Sequence, residues 1–468
     1  MFVKRILIYF PLFLIVFLAQ SFFWVPNYDK QAVGNPERLK KYIHGSSGDA
    51  EMLNPILSAD SASSSINSLI FDGLISLDDK LEYTQRLATS WVHEEEAFLV
   101  VDSRYLLKQI NKPLLNTKDL VSYIKNSLKD NKEWIENIKN IEIVPSQIVH
   151  GSIEVPIYNA NGSLKNLKGR PLKETLPYKL KYPNRIKFTL EHVDQDFFNP
   201  IIKLIGKKYY DSFPYDDFIS TENTIQRERL RPYFAEIFNI TEHNPVIVFN
   251  LRRGVHFHDG HEFNSGDVVF TYRSIMDVKT ASPRRSDYEP VKFAIAQGPH
   301  KVRVTYKRLF SPAINSWSMG ILPEHLLNPE ALRQEAFSRN LDPENFTIRD
   351  SHFNRNPVGT GPFKFNKWKS DETIRLRRND DYWEGPPEYQ EYIMRIIPDP
   401  LTREMEFYAG AVDNYNVEPH QLARFKKEEK YQSFSSLGYF YSYIGYNLRN
   451  PLFSSPDVRR ALGMAIDV

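Results

Sequence analysis

The sequence predicts an α/β protein of at least two domains, and three observations carry that expectation. The chain has 468 residues, more than one hydrophobic core usually organises. Its composition, 41% hydrophobic and 25% charged, is that of a folded globular protein and not of a disordered one. Residues 246–276 read as strand, turn and helix. Ile247, Phe249 and Leu251 alternate with Val248, Asn250 and Arg252, the period of a strand with one buried face. Gly254 and Asp259-Gly260 mark turns. Asn264 is placed to cap a helix with Asp267 at its third position, where a carboxylate meets free amide groups and the positive end of the helix dipole. Val268, Tyr272, Ile275 and Met276 give that helix an apolar face.

The other elements follow in chain order. Lys4 and Arg5 precede an apolar run over residues 6–25, broken only by Pro11, Gln20 and Ser21. The run fits a signal peptide cut near Ala19-Gln20-Ser21, or an uncleaved membrane anchor, because Phe22, Phe23, Trp24 and Val25 prolong it. Either reading puts the remainder outside the cytoplasm, after a linker at 26–44. A turn at Asn54-Pro55 leads to a helix with Ile66, Leu69 and Ile70 on one face and Gly73 placed to end it. Leu87-Ala-Thr-Ser-Trp91 comes next. A helical stretch spans 117–139, with Leu120, Tyr123, Ile124, Leu128 and Ile135 periodic, and strands are expected at 141–144 and 185–190.

Beyond the central segment, Val302, Val304 and Tyr306 alternate as a strand, and Ile321-Leu-Pro-Glu-His-Leu-Leu enters a helix. Asn356-Pro-Val-Gly-Thr-Gly-Pro-Phe363 predicts a tight turn before a strand at 363–368. No Lys-Ser or Lys-Thr follows its glycines, which excludes a phosphate loop. Strands are expected around Ile374 and Leu376 and at 392–397. A helix at 401–409 carries Leu401, Met405 and Tyr408 on one face and stops at Gly410, and Ala411-Val-Asp413 returns as a strand. Residues 439–447 alternate aromatic and small side chains. Ser455 and Pro456 then open a helix striped with Val458, Ala461, Leu462, Ala465 and Ile466.

Three runs together resemble the bacterial extracellular solute-binding proteins of family 5, the oligopeptide and dipeptide receptors of ABC importers. They are Asn250-Leu-Arg-Arg-Gly-Val-His-Phe-His-Asp-Gly with Asn-Ser-Gly-Asp-Val-Val-Phe-Thr-Tyr after it, Asn356-Pro-Val-Gly-Thr-Gly-Pro-Phe, and Asn450-Pro-Leu-Phe-Ser-Ser-Pro-Asp-Val-Arg-Arg-Ala-Leu. The Asn-Pro, Gly-Leu and Leu-Ala-x-Ser-Trp segments precede them in the family's order. The resemblance implies an α/β, two-lobed fold of the periplasmic binding protein type II kind with most of the second lobe missing. The first lobe would be 45–437, built from 53–91 and 246–437 around an inserted subdomain at 92–245, and the second would start at 438. It further implies a monomeric periplasmic or extracytoplasmic receptor that binds a peptide or other small solute between its lobes and docks on an ABC permease in the inner membrane. The alternative is a membrane-anchored interaction or scaffolding protein that has lost solute binding. In the family, the acidic residue that meets a peptide's amino terminus lies in a Trp-x-x-Asp segment well downstream of the Arg-Arg-Ala-Leu helix. These 468 residues are therefore expected to bind peptide weakly or not at all and to leave the last apolar stripe exposed.

Chemistry by the chain itself finds little support. Sixty lysines and arginines against 58 acidic residues give no electrostatic case for nucleic acid. The absence of cysteine removes disulfides, thiolate nucleophiles and cysteine metal sites. No Gly-x-Ser-x-Gly elbow or His-Glu-x-x-His helix occurs, so no catalytic residue and no cofactor is expected. His256, His258, His261, Asp259 and Glu262 have the chemistry of zinc ligands, but are expected to build a structural turn and hold no metal. Asp380-Asp381 reads as a solvated turn. Tyrosines combine apolar area with a polar tip, and of the aromatics near the end Tyr441 and Tyr443, with Asn447, are the candidate ligand-binding residues.

Overall fold

The computed structural model describes residues 10–11, 13–20, 35–102, 117–159, 163–167, 170–308, 310–435 and 443–466. They fall into two compact units. One comprises Met1–Val92, Ile247–Val304 and Phe310–Leu437; the other comprises His93–Val246, Thr305–Leu309 and Gly438–Val468.

In the first unit, Lys41–Ser46 lies parallel to Glu391–Ile396, which continues antiparallel through Thr373–Arg378 to Phe363–Lys369. A second set of strand segments runs in the order 291–296, 301–304, 247–251 and 88–92. Two neighbours flank the expected central strand, Thr241–Leu251, and residues 244–249 are buried without alternation. The expectation of one buried face is thereby corrected, because a strand in the middle of a covered sheet buries both. The helix Ser265–Met276 starts as its sequence dictates. Asn264 Oδ1 accepts from the Gly266 amide at 2.7 Å and Asp267 Oδ2 from the Asn264 amide at 2.9 Å, a reciprocal capping box. Asp267 Oδ1 also accepts from the Glu324 amide at 2.9 Å, tying this helix to Glu324–Leu327.

Other expectations are adjusted. The helix before the cleft is Ser61–Ile70, capped by Asp60, and it ends three residues before Gly73 in extended backbone at Phe71. The stretch 117–139 forms two helices, Thr117–Ser127 and Lys132–Glu136, because Asn131 caps a new start, and Ile138–Val144 is already strand. Pro400–Tyr408 forms, but Leu401 and Met405 are 66% and 60% exposed. What packs instead is an aromatic group in which Phe407 and Tyr408 meet Phe425 and Tyr431. Residues 411–413 bend, leaving a single bridge between His44 and Asn414. Residues 443–447 have no regular structure. Ser455 makes no side-chain cap bond on Pro456–Met464, and Leu462 within that helix and Ile466 beyond it are exposed.

The second unit has its own core. Residues 93–100, Arg185–Leu190 and Ile138–Val144 pair in that order, antiparallel throughout. A separate sheet joins Ile219–Ser220, Lys173–Tyr182 and Gln147–Pro156. Trp134 stacks on Phe197 at 5.2 Å, and Tyr182, Phe213 and Phe218 surround Phe238. Burying that much aromatic surface is enough to hold an independent core.

Candidate functional site

The helix Ser61–Ile70 and the extended segment after it form one wall of a cleft of about 420 Å³ in the first unit. The extended segment is held on both sides by main-chain bonds: Gly361 N donates to Ile70 O at 2.8 Å, Ile321 N to Asp72 O at 3.0 Å, and Leu74 N to Trp317 O at 2.8 Å. Such close approach leaves no room for side chains. A Cβ on Gly359 would lie 2.0 Å from Ile70 O, one on Gly73 2.3 Å from Ser318 O, and one on Gly320 2.4 Å from Phe71 Cβ. The glycines of the Gly-Thr-Gly run and of the Asp-Gly-Leu step are therefore required for packing space.

His258 fixes the same turn from the other side. Its Nδ1 accepts from Gly359 N at 3.2 Å, which leaves the proton on Nε2, and Nε2 donates to Gly361 O at 2.9 Å. Burial pushes the imidazole down to about 4, so it is neutral.

Asp72 is 3% exposed and its carboxylate is saturated. Arg86 Nη2 at 2.8 Å and the Tyr382 hydroxyl at 3.2 Å donate to Oδ1. Trp383 Nε1 at 3.1 Å and Thr360 Oγ1 at 3.3 Å donate to Oδ2. Arg86 also donates to Glu384 at 2.7 Å, and the Trp383 ring lies under the guanidinium groups of Arg86 and Arg252. Burial, then the charge of Asp72, pushes the Tyr382 hydroxyl well above the phenol range, so it stays a donor. This network shapes the cleft wall and leaves Asp72 no lone pair for a ligand.

Facing these groups is Arg284, at the end of a loop pinned at several points. Ser282 Oγ donates to Ile56 O at 2.5 Å and accepts from Arg284 N at 3.1 Å. Arg349 Nη1 donates to Thr280 O and Ala281 O at 3.3 and 3.4 Å. Ala281 sits at φ 47°, a left-handed conformation that costs a non-glycine residue on the order of 1 kcal/mol or more.

Of the residues expected to bind ligand, Tyr441 lies outside the described residues. Tyr443 is 78% exposed, and Asn447 Oδ1 accepts from the Arg449 amide at 3.1 Å; the cleft is lined by other residues. The five groups at 256–262 do not converge. His256 is exposed and bridges Glu262 through main chain, while His258 serves the 359–361 turn. The set that does converge adds His325: Asp259, His261 and His325 each offer a ligand atom within 4.8 Å of the others. Asp259 Oδ2 lies 2.7 Å from His325 Nε2, and the His261 and His325 rings stack at 3.8 Å. In a metal-free chain these contacts lock the Asp-Gly turn onto Glu324–Leu327, and the same atoms are the ones that could hold a metal. Asn67, Asp72, Arg86 and Arg284 were missed by sequence reasoning. The Ser-Pro-Arg-Arg turn was the one local signal, a basic pair beside a helix.

Among the described residues no helix is long and apolar enough to cross a membrane. A model of the bacterial extracellular solute-binding proteins, family 5 Middle, matches residues 229–468. The oligopeptide-binding protein AppA of Bacillus subtilis is 33% identical over 222 residues, 46% of this chain and 38% of that protein. Di/tripeptide-binding protein 1 of Pseudomonas aeruginosa is 28% identical over 262 residues, 51% of this chain and 46% of that protein. Among solved structures, AppA from B. subtilis in complex with a nonapeptide superposes with a TM-score of 0.51 at 21% identity, covering 91% of this chain and 54% of that one. DppA from Helicobacter pylori in complex with the peptide STSA gives 0.50 at 18%, covering 92% and 56%. The chain thus spans about half the length, or less, of the relatives it matches.

Proposed function

The chain belongs to the bacterial extracellular solute-binding proteins of family 5 and has the α/β fold of two-lobed periplasmic binding proteins, and from that premise we propose that it serves as a peptide receptor of an ABC importer. The carrying observation is the cleft of the first unit, walled by main chain packed too closely for side chains and lined by serines, Asn67, Phe71 and Arg284. A preformed wall with few convergent polar groups suits a small ligand. Main-chain hydrogen bonding would bind peptides of mixed sequence. AppA and di/tripeptide-binding protein 1 are named for peptides, which supports the same class.

In this reading the receptor works outside the cytoplasm, held to the membrane or released from it by residues 6–25, and delivers its solute to a permease. Residues 45–437 carry the first lobe, 92–245 its insertion, and residues from 438 belong to the second, where Tyr441, Tyr443 and Asn447 would face ligand. The protein binds and does not cleave. Asp72 is fully occupied, and the cleft has no nucleophile and base in contact among its lining residues.

Mass spectrometry of material co-purifying with the full chain, followed by melting curves with the peptides found, tests this. Peptides that raise the melting temperature at millimolar concentration are expected. A non-peptide solute, or sustained peptide turnover that one histidine or carboxylate substitution abolishes, would overturn it.

A further inference from the structure

The charged groups that line the cleft are Asp72, Arg86 and Arg284. Asp72 and Arg86 neutralise each other, and Glu384 draws further on Arg86. Arg284 has no such partner: among the described residues it makes no ion pair, and its Nε is buried without any hydrogen-bond partner. Across the same cleft, Asn67 gives its Nδ2 to Ser58 Oγ at 3.0 Å, while its Oδ1 is buried and also lacks a partner. Arg284, a cation without an ion pair, and Asn67 therefore line a single concave space, each with one polar atom buried behind its surface and left without a partner. Charged groups in a concave site are normally paired, so the uncompensated guanidinium of Arg284 asks for an anionic group from a bound molecule. The loop before Arg284 is pinned at Thr280 and Ser282, which fixes where the side chain leaves the backbone.

We infer that Arg284 is a specificity-determining residue that seats a carboxylate of the bound peptide. The inference rests on the peptide-receptor reading and narrows it: the cleft prefers ligands carrying a carboxylate over neutral or purely cationic ones. A guanidinium can hold a carboxylate through charge-assisted bonds, which are about twice as strong as neutral ones. The carboxylate is either the ligand's C-terminus or an acidic side chain.

The test uses the full chain and its Arg284→Gln variant, with NMR titration of the arginine Nε–H signals, Arg284 being assigned by its loss in the variant. The probes are tri-alanine, tri-alanine amide, Ala-Glu-Ala amide and N-acetylalanine. Tri-alanine should bind the parent about tenfold tighter than its amide, and Arg284→Gln should abolish that ratio. Tight binding of Ala-Glu-Ala amide would assign the carboxylate to a side chain; weak binding would assign it to the terminus. An unchanged acid-to-amide ratio in the variant overturns the inference. If no peptide shifts any cleft signal, the receptor reading falls, and N-acetylalanine then decides Arg284 by itself. A shift of its Nε–H upholds the carboxylate seat, and silence at high concentration refutes it.

Discussion

His258 offers a test of how the cleft wall is held. Its imidazole accepts from Gly359 N and donates to Gly361 O, so a second proton on Nδ1 would oppose an amide hydrogen. Burial sets the folded pKa near 4 against 6.5 for a free imidazole. Because the folded value is the lower one, acid favours the unfolded chain: stability is complete above pH 6.5, falls as pH drops toward 4, and is level below that. The full displacement corresponds to about 3 kcal/mol, of which about 2 kcal/mol is lost between pH 7.5 and pH 5. In His258→Gln the amide can still accept from Gly359 and donate to Gly361 but does not titrate. Urea unfolding of both proteins at the two pH values, followed by tryptophan fluorescence, gives the double difference. It should be about 2 kcal/mol, with the parent the more acid-sensitive. Equal pH dependence in the two proteins would refute a buried neutral imidazole clamping the 359–361 turn.

Other perturbations separate the wall's components. Gly359→Ala places a Cβ against Ile70 O and should destabilise by about 3 kcal/mol or more, read as a lower urea midpoint; a loss under about 1 kcal/mol would mean that the wall yields. Asp72→Asn leaves Arg86 short of a buried counter-charge and should cost about 2 to 4 kcal/mol in unfolding free energy. Replacing residues 93–246 by Asn-Gly should leave a folded first unit, because Arg252 N bonds Leu87 O and Asn250 bonds Ser90 Oγ, so Val92 and Ile247 are already neighbours in antiparallel strands. Insoluble product, with the intact chain soluble, would contradict that. Asn264→Ala should lower stability by about 1 kcal/mol by removing a helix cap, measured the same way.

What was legible in the sequence was what short-range physics decides. The box at Asn264 and Asp267, the strands at 185–190 and 301–306 and the chain reversals at Gly254 and Gly260 follow from neighbours in sequence, and all are present. Gly73 was misjudged because its role depends on Ser318, 245 positions away, and no local pattern records a close approach. Leu401 and Met405 carry a good helical period, yet a period does not tell which face finds a partner, and the aromatics at 407–431 took that place. The candidate site was harder still. Asp72 is surrounded by Arg86, Thr360, Tyr382 and Trp383, from three separate stretches, and Arg284 differs from its neighbour Arg285 only through what the fold sets around it. The family resemblance supplied the fold and a class of ligand, while the charge balance of the cleft depends on groups that only the fold brings together.

The most direct measurement is chemical-shift mapping of the full chain with a free-acid peptide at millimolar concentration, a range in which weak binding is still visible. Saturable shifts confined to Ser58, Asn67, Phe71, Ser76, Arg284 and Met319, residues that line one cleft, are the result expected of a peptide receptor that uses this cleft. Shifts elsewhere with these positions silent, or no shift at all, would contradict it.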